Sequence, residues 1–232
     1  MAKEQAKAEV KKDWMGAVEA YSTAMERIRQ NAQPLFAFAA IYAVVVLISV
    51  AAQGGNKGGD YNSLESLVTF FFLVSIPLYG LSIADQRSMS VNEFLRPRPK
   101  LFIALLGLII LNFFIAAGSL LLLIFPIIWT LAWFYMATFI LVDKKVGPID
   151  ALKHSKILAK GHMGKVWGIV GFGVVLNIGV SILSSFLSGY IKVLFDAIAV
   201  TTLLLWIDSA SALLYRYMQR HAVTEVATPE ER

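Results

Sequence analysis

Residues 101–142 read LFIALLGLIILNFFIAAGSLLLLIFPIIWTLAWFYMATFILV, without one Asp, Glu, Lys or Arg. As a single helix this run would be roughly 63 Å long at about 1.5 Å per residue. A bilayer core is about 30 Å thick and is crossed by about 20 residues. The stretch therefore predicts two crossings, about 101–119 and 121–142, with a tight turn between them.

Working outward, four further apolar runs have crossing length: about 34–52, 66–84, 166–188 and 193–215. The 232-residue chain is 57% hydrophobic and only 16% charged, with a mean hydropathy of +0.65. A soluble domain carries about 25% charged residues. The expected fold is an all-α integral membrane protein, with six transmembrane helices arranged as three hairpins. The first 30 residues are charged and lack an apolar core of signal-peptide type, so span 34–52 is expected to direct its own insertion. With no cysteine in the chain, disulfides and thiolate metal or redox sites are excluded.

Lys and Arg orient the spans, because they collect in cytoplasmic loops. All but two of the 21 basic residues fall in 1–33, 85–100, 143–165 and the C-terminal tail; Lys57 and Lys192 are the exceptions. Both termini are expected to be cytoplasmic, with an N-terminal segment 1–33, a membrane domain 34–217 and a tail 218–232. The net charge of +5 needs no nucleic-acid partner, because anionic headgroups on the inner leaflet attract it.

The chain also repeats itself. Residues 18–36 read VEAYSTAMERIRQNAQPLF and residues 149–167 read IDALKHSKILAKGHMGKVW. Val18 meets Ile149, Glu19 meets Asp150, Ala20 meets Ala151, Tyr21 meets Leu152, Arg29 meets Lys160 and Phe36 meets Trp167. A shorter form, SVNEFLRPRPKLF, opens the middle pair at 90–102. The plan is three units, each a cytoplasmic amphipathic segment followed by a hairpin. Duplication and a shared need for an interfacial helix both explain the likeness.

Trp14, Val18, Tyr21, Met25 and Ile28 follow a 4, 3, 4, 3 spacing that predicts one apolar face on a helix lying along the headgroups. In the second copy, Pro148 suits a helix start and Gly161 a helix end, which predicts an interfacial helix over 148–161. Ile149, Leu152 and Ala159 share its apolar face, with Ala151, Ser155 and Leu158 beside it. Lys153, Lys156 and Lys160 lie mostly away from that face and form a candidate lipid or partner surface.

The run Pro126, Trp129, Phe134, Asp143, Gly147, Ala151-Leu152, Ser155, Leu158, Gly161 resembles a signature of bacterial multi-pass proteins of the YciC family. It is similar also to the membrane domain of some glycerophosphodiester phosphodiesterases. The resemblance covers about 126–175 and implies the topology of a bacterial inner-membrane protein; no soluble phosphodiesterase domain is attached. It implies no activity.

Polar residues inside spans are candidates for function. Asp208 lies in the last span, where an unpaired carboxylate must be protonated, wet or paired. It is either a proton or cation site or a structural contact. Asp196 reads as an interfacial residue. Asn112 and Asn177, near the centres of the third and fifth spans, line a path or join helices. Gly173, Asn177, Ser181, Ser185 and Gly189 recur every fourth residue, a stripe suited to close helix packing in lipid. Pro77 is expected to kink the second span, and Tyr215, Tyr217 and Trp167 to form an inner aromatic belt.

No catalytic motif and no metal-ligand spacing is present. His154, His162 and His221 read as solvated, and GGNKGGD at 54–60 as an outer connector. No cofactor is implied. Three functions remain. The favoured one is a non-catalytic membrane module that binds or organises lipids, anionic headgroups included, or other membrane or cytoplasmic proteins. The second is a transporter or permease subunit that offers IDALKHSKILAKG as a coupling helix. The third is a lipid-modifying enzyme, which requires Asp85, Asp143, His162 and Asp208 to converge at the inner interface.

Overall fold

A computed structural model describes residues 16–52, 70, 72–121 and 135–227. Among these residues every regular element is an α-helix: α1 (Ala17–Gln30), α2 (Gln33–Ala52), α3 (Ser75–Ala84), α4 (Val91–Leu95), α5 (Pro99–Leu121), α6 (Ala137–Lys144), α7 (Pro148–Ala159), α8 (Met163–Ser185) and α9 (Gly189–Ala227). Two helices are long and apolar enough to cross a membrane, Met163–Ser185 and Ile191–His221. A third crossing is formed if the bent pair Ala17–Gln30 and Gln33–Ile48 counts as one; its two halves meet at 88°.

That bend separates α1 from α2. The N–H of Asn31 closes α1 by bonding the carbonyls of Arg27 and Ile28. Pro34 then sits in the first turn of α2, where a missing N–H leaves no helical bond unmade. The expected spans 66–84 and 121–142 fall partly outside the described residues. Their described C-terminal parts are α3 and α6. No turn breaks the helix at residue 120, because α5 runs unbroken through Leu121. Pro77 kinks nothing: it lies in the first turn of α3, after a turn at 72–74, where proline costs little.

α9 is the mast of the bundle and packs against α3, α2, α1 and α8, most extensively against α3. Two apolar cores flank it. One joins α1, α3, α5, α6, α7, α8 and the C-terminal half of α9 around Met136, Ile140, Leu141 and Leu214. The other gathers α2, α3 and α4 around Phe38, Phe72, Tyr79 and Phe94. Phe72 stacks on Phe94 with centroids 5.4 Å apart, and Phe38 meets Phe72 edge-on at 4.8 Å.

The amphipathic segments form helices whose buried faces overlap the expected ones and are rotated from them. α1 buries the expected Tyr21 and Ile28 with Ala20 and Ala24 beside them, while Val18 is 68% exposed; Trp14 lies outside the described residues. α7 buries Ala151, Leu152, Ser155 and Ala159, and of its expected face Ile149 points outward, as does Ile157. Small side chains on the buried face let each helix axis lie near its neighbours. The two buried sets also coincide under the repeat register, residue for residue, at an offset of 131: Ala20 with Ala151, Tyr21 with Leu152, Ala24 with Ser155, Ile28 with Ala159.

The caps follow the sequence. Gly147 precedes α7 in an extended conformation with Pro148 in its first turn. Gly161, at φ 89°, makes the turn into α8, a backbone conformation that glycine adopts without steric cost. Ser90 caps α4 by accepting the N–H of Glu93 at 3.2 Å.

Candidate functional site

Charge converges at one point, around Arg216 in the C-terminal part of α9. Arg216 Nε and Nη2 each donate to a carboxylate oxygen of Asp85 at 2.8 Å. Its Nη1 and Nη2 donate to Asp143 at 2.8 and 2.9 Å. Tyr215 donates its hydroxyl to Asp143 at 2.8 Å, and Gln219 accepts from Arg216 Nη1 at 2.9 Å. The guanidinium has a planar fork of donors, and here it is used on both sides.

Local folding places these groups. Asp85 caps the C-terminus of α3 and Asp143 lies in the last turn of α6. A carboxylate is unwelcome beside the negative end of a helix dipole, so Arg216 relieves both helix ends at once. Burial alone would raise the pKa of Asp143, but the hydrogen bonds from Arg216 and Tyr215 outweigh it and hold the carboxyl below its ordinary value.

Two other polar knots tie the same end. Arg27 of α1 donates to the carbonyls of Ile83 and Ala84 at 3.2 and 2.9 Å, closing the C-terminus of α3. Lys165 bonds the hydroxyl of Tyr217 at 2.6 Å and lies 4.0 Å from the centre of its ring. His221 packs on that ring at 4.2 Å and His162 approaches both. His162 and His221 are therefore half-buried partners of an aromatic group rather than solvated loop residues; His154 is exposed as expected. Tyr215 and Tyr217 are buried at 0% and 9% exposure, so they face the bundle and form no lipid-facing belt.

Deeper along α9, Asp208 faces α3. A Cβ at Gly80 would sit 2.5 Å from Asp208 Oδ2 and 3.0 Å from the Asp208 carbonyl oxygen. Gly80 is thus the residue that lets α3 and α9 touch. Asp208 Oδ2 is closed off and has no hydrogen-bond partner among the described residues. Ser211, one turn further in, exchanges a 2.8 Å hydrogen bond with Tyr135. Asp196 pairs with Lys192 at 3.3 Å near the other end of the helix.

The remaining candidates scatter. Asn112 is half-buried on α5 and Asn177 is exposed on α8. Of the small-residue stripe only Gly173 is packed within this chain, against Tyr21 and Ile207. Ser181, Ser185 and Gly189 are exposed. Lys153, Lys156 and Lys160 are exposed on α7. Of the four groups whose convergence an enzyme would require, Asp85 and Asp143 meet through Arg216. His162 packs instead on Tyr217, and Asp208 lies eight residues, about 12 Å along the helix axis, from Arg216.

The sequence reading missed Arg216 as the hub and Tyr21 as a pin. Tyr21 donates its hydroxyl to the Ile169 carbonyl at 3.1 Å and accepts the indole N–H of Trp206 on its own carbonyl at 2.7 Å. A signal for the hub was present: both ILVD and SIAD place an acid at the end of an apolar run, 58 residues apart. Among the described residues no group of three or more His, Asp or Glu is placed to hold a metal ion. No family model matches the chain, and no curated protein or solved structure matches it either.

Proposed function

We propose that this chain is a non-catalytic membrane module, which binds or organises lipids or other membrane proteins at the inner face of a bacterial inner membrane. In this reading six spans cross as three hairpins, both termini are cytoplasmic, and the chain is akin to the YciC-like proteins its 126–175 region resembles. One observation carries the proposal. The outward face of α7 bears Ile149, Lys153, Lys156, Ile157 and Lys160 side by side, with the isoleucines 60% and 70% exposed. Such a face lies in a headgroup layer, with apolar groups sunk inward and lysines reaching up to phosphate. The acids at the inner end of the bundle, meanwhile, are occupied by Arg216. They are held as ion-pair partners instead of standing ready to exchange protons with a substrate.

The test is reconstitution of the pure protein into phosphatidylglycerol-containing vesicles, with phospholipid turnover and solute entry followed together. Neither is expected. Sustained hydrolysis of a phospholipid, or solute uptake without a partner, overturns the reading. Copurification of a soluble ATPase that is lost in K153E/K156E replaces it with the permease-subunit alternative.

A further inference from the structure

The connection from α3 to α5 contains a cavity that the inner-face cluster does not use. It encloses about 650 Å³, within the range of roughly 300–1,000 Å³ usual for ligand sites. It is half open and is lined by Phe70, Val74, Leu95 and Phe102 together with Arg96 and Arg98. Phe70 and Phe102 meet edge-on at 4.8 Å and make one side rigid. Pro97 and Pro99 on the rim fix the backbone between the two arginines.

The charge at the mouth is one-sided. Arg96 and Arg98 line it and, among the described residues, no acid does; the neighbouring Glu93 is already held by Arg87 at 2.8 Å. Arg98 spends two donors on the carbonyls of Glu93 and Arg96. The Arg96 guanidinium has no hydrogen bond or ion pair among the described residues and stands in the open. Burial, together with the like charges of Arg96 and Arg87, pulls the pKa of Arg98 down despite Glu93; an anion at this point would relieve that crowding. The N-terminus of α5 opens at the same place, and its helix dipole favours negative charge. An apolar chamber under an uncompensated cationic mouth, on the side of the protein where basic loops collect, matches a molecule that is half hydrocarbon and half phosphate.

We infer that this cavity is a site for an anionic glycerophospholipid, with an acyl chain against Phe70, Val74, Leu95 and Phe102 and the headgroup phosphate between Arg96 and Arg98. The assignment rests on the reading of the chain as a lipid-binding module and gives that reading a place and a lipid class.

Delipidated protein is titrated with equal amounts of phosphatidylglycerol and phosphatidylcholine and the bound lipid counted by native mass spectrometry. Phosphatidylglycerol is retained in preference. Arg96→Gln lowers that preference roughly fivefold, the ratio corresponding to about 1 kcal/mol per basic residue near a membrane surface. Because Arg96 is exposed, its variant keeps the elution volume and Tm of the parent. Leu95→Trp fills the chamber and expels the lipid, Lys144→Gln at the exposed end of α6 leaves the preference intact, and excess inorganic phosphate does not displace the bound lipid. An unchanged preference in Arg96→Gln, or an equal fall in Lys144→Gln, overturns the site while leaving a lipid-binding module standing. Displacement by phosphate overturns the acyl-chain assignment. Failure of the parent to retain any phospholipid overturns both site and module. If Leu95→Trp does not fold, the Arg96 and Lys144 variants decide the matter alone.

Discussion

α8 and α9 are nearly equal in apolar character, with mean hydropathies of 2.1 and 1.8 over their best stretches, yet 17% of one stretch is buried and 56% of the other. α8 turns Val174, Val175, Ile178, Ile182 and Leu183 outward. α9 turns Ser209, Ala210, Ser211 and Ala212 inward together with its aromatic residues. Hydropathy is the same for a side chain that meets lipid and one that meets protein. What separates the two helices is where small and hydrogen-bonding groups find counterparts on a neighbour, which is how helices associate without a hydrophobic drive between them. α9 has such counterparts in Gly80, Tyr135, Asp85 and Asp143. Among the described residues α8 has fewer: Tyr21 and Ile207 against Gly173 near its middle, Tyr217 at Lys165 and Lys192 at Ser184.

The sharpest way to break this contrast is to remove the hub of α9. Arg216→Leu leaves Asp143 and Asp85 facing each other without a cation. Stripping one partner from a fully buried pair costs about 3–5 kcal/mol. The side chain of Asp85 is 45% exposed and that of Asp143 22%, so solvent screening reduces the expected loss to about 2–3 kcal/mol. It is measured as unfolding in detergent micelles. Asp143→Leu in the same chain restores part of the loss, because the larger of the two desolvated charges is then gone. The effect also has a direction in pH. Asp143 is held below its ordinary pKa in the folded protein, so the protein with Asp143 ionised is the favoured one. Its contribution is complete above about pH 4, the ordinary Asp value, and is lost as pH falls through the lower folded value. The gap between parent and Arg216→Leu is therefore full at pH 7 and closes below about pH 4. A gap that is independent of pH assigns Arg216 a packing role alone.

A smaller effect is expected from Gly80→Ala. The new methyl would meet Asp208 Oδ2, which can swing, and the Asp208 carbonyl, which cannot. Overpacking of this kind costs about 1–3 kcal/mol, and Asp208→Ala in the same chain recovers only the side-chain part. Full recovery shows that the carboxylate alone fixes the spacing of α3 and α9. No recovery shows that the backbone does.

The sequence made legible those features that rest on local chemistry. Gly147-Pro148 begins α7 and Gly161 ends its turn, as helix start and stop signals require. The existence of α8 and α9 follows from unbroken apolar runs, but α9 continues as helix to Ala227, through most of the segment expected as a tail from 218; the distribution of Lys and Arg separates the polar connections. Features set by neighbours were read less well. In α1 the spacing of Trp14, Val18, Tyr21, Met25 and Ile28 predicts the apolar stripe; the bundle buries its Tyr21 and Ile28 but adds Ala20 and Ala24 and leaves Val18 outside. Pro77 looked like a kink because a 19-residue span was assumed around it, and the turn at 72–74 removes the assumption. Asp208 stood out in the sequence because it is isolated among apolar residues. Asp85 and Asp143 were legible as acids at span ends that an enzyme would bring together, but their shared partner Arg216 was not. The arginines at 96 and 98 were counted as orientation signals, and the chamber beneath them needed coordinates to be seen.

The least effect belongs to the outward stripe of α8, and for that reason it tests the comparison most cleanly. Asn177, Ser181 and Ser185 stand at the fourfold spacing of a packing seam, and each is exposed within this chain. Ser181 and Ser185 turn their hydroxyls back onto their own helix, at the carbonyls of Asn177 and Ile182, so neither depends on another helix for its hydrogen bond. Replacing both serines by alanine should therefore change unfolding in micelles by no more than about 0.5 kcal/mol, as for surface substitutions elsewhere. Gly173→Ala on the same helix presses a methyl against the Tyr21 hydroxyl at 2.9 Å and should cost visibly more. If instead the double serine variant loses as much as Gly173→Ala, the stripe is covered by something beyond this chain. α8 would then join α9 as a packed helix, and the contrast between them would hold only for the isolated chain.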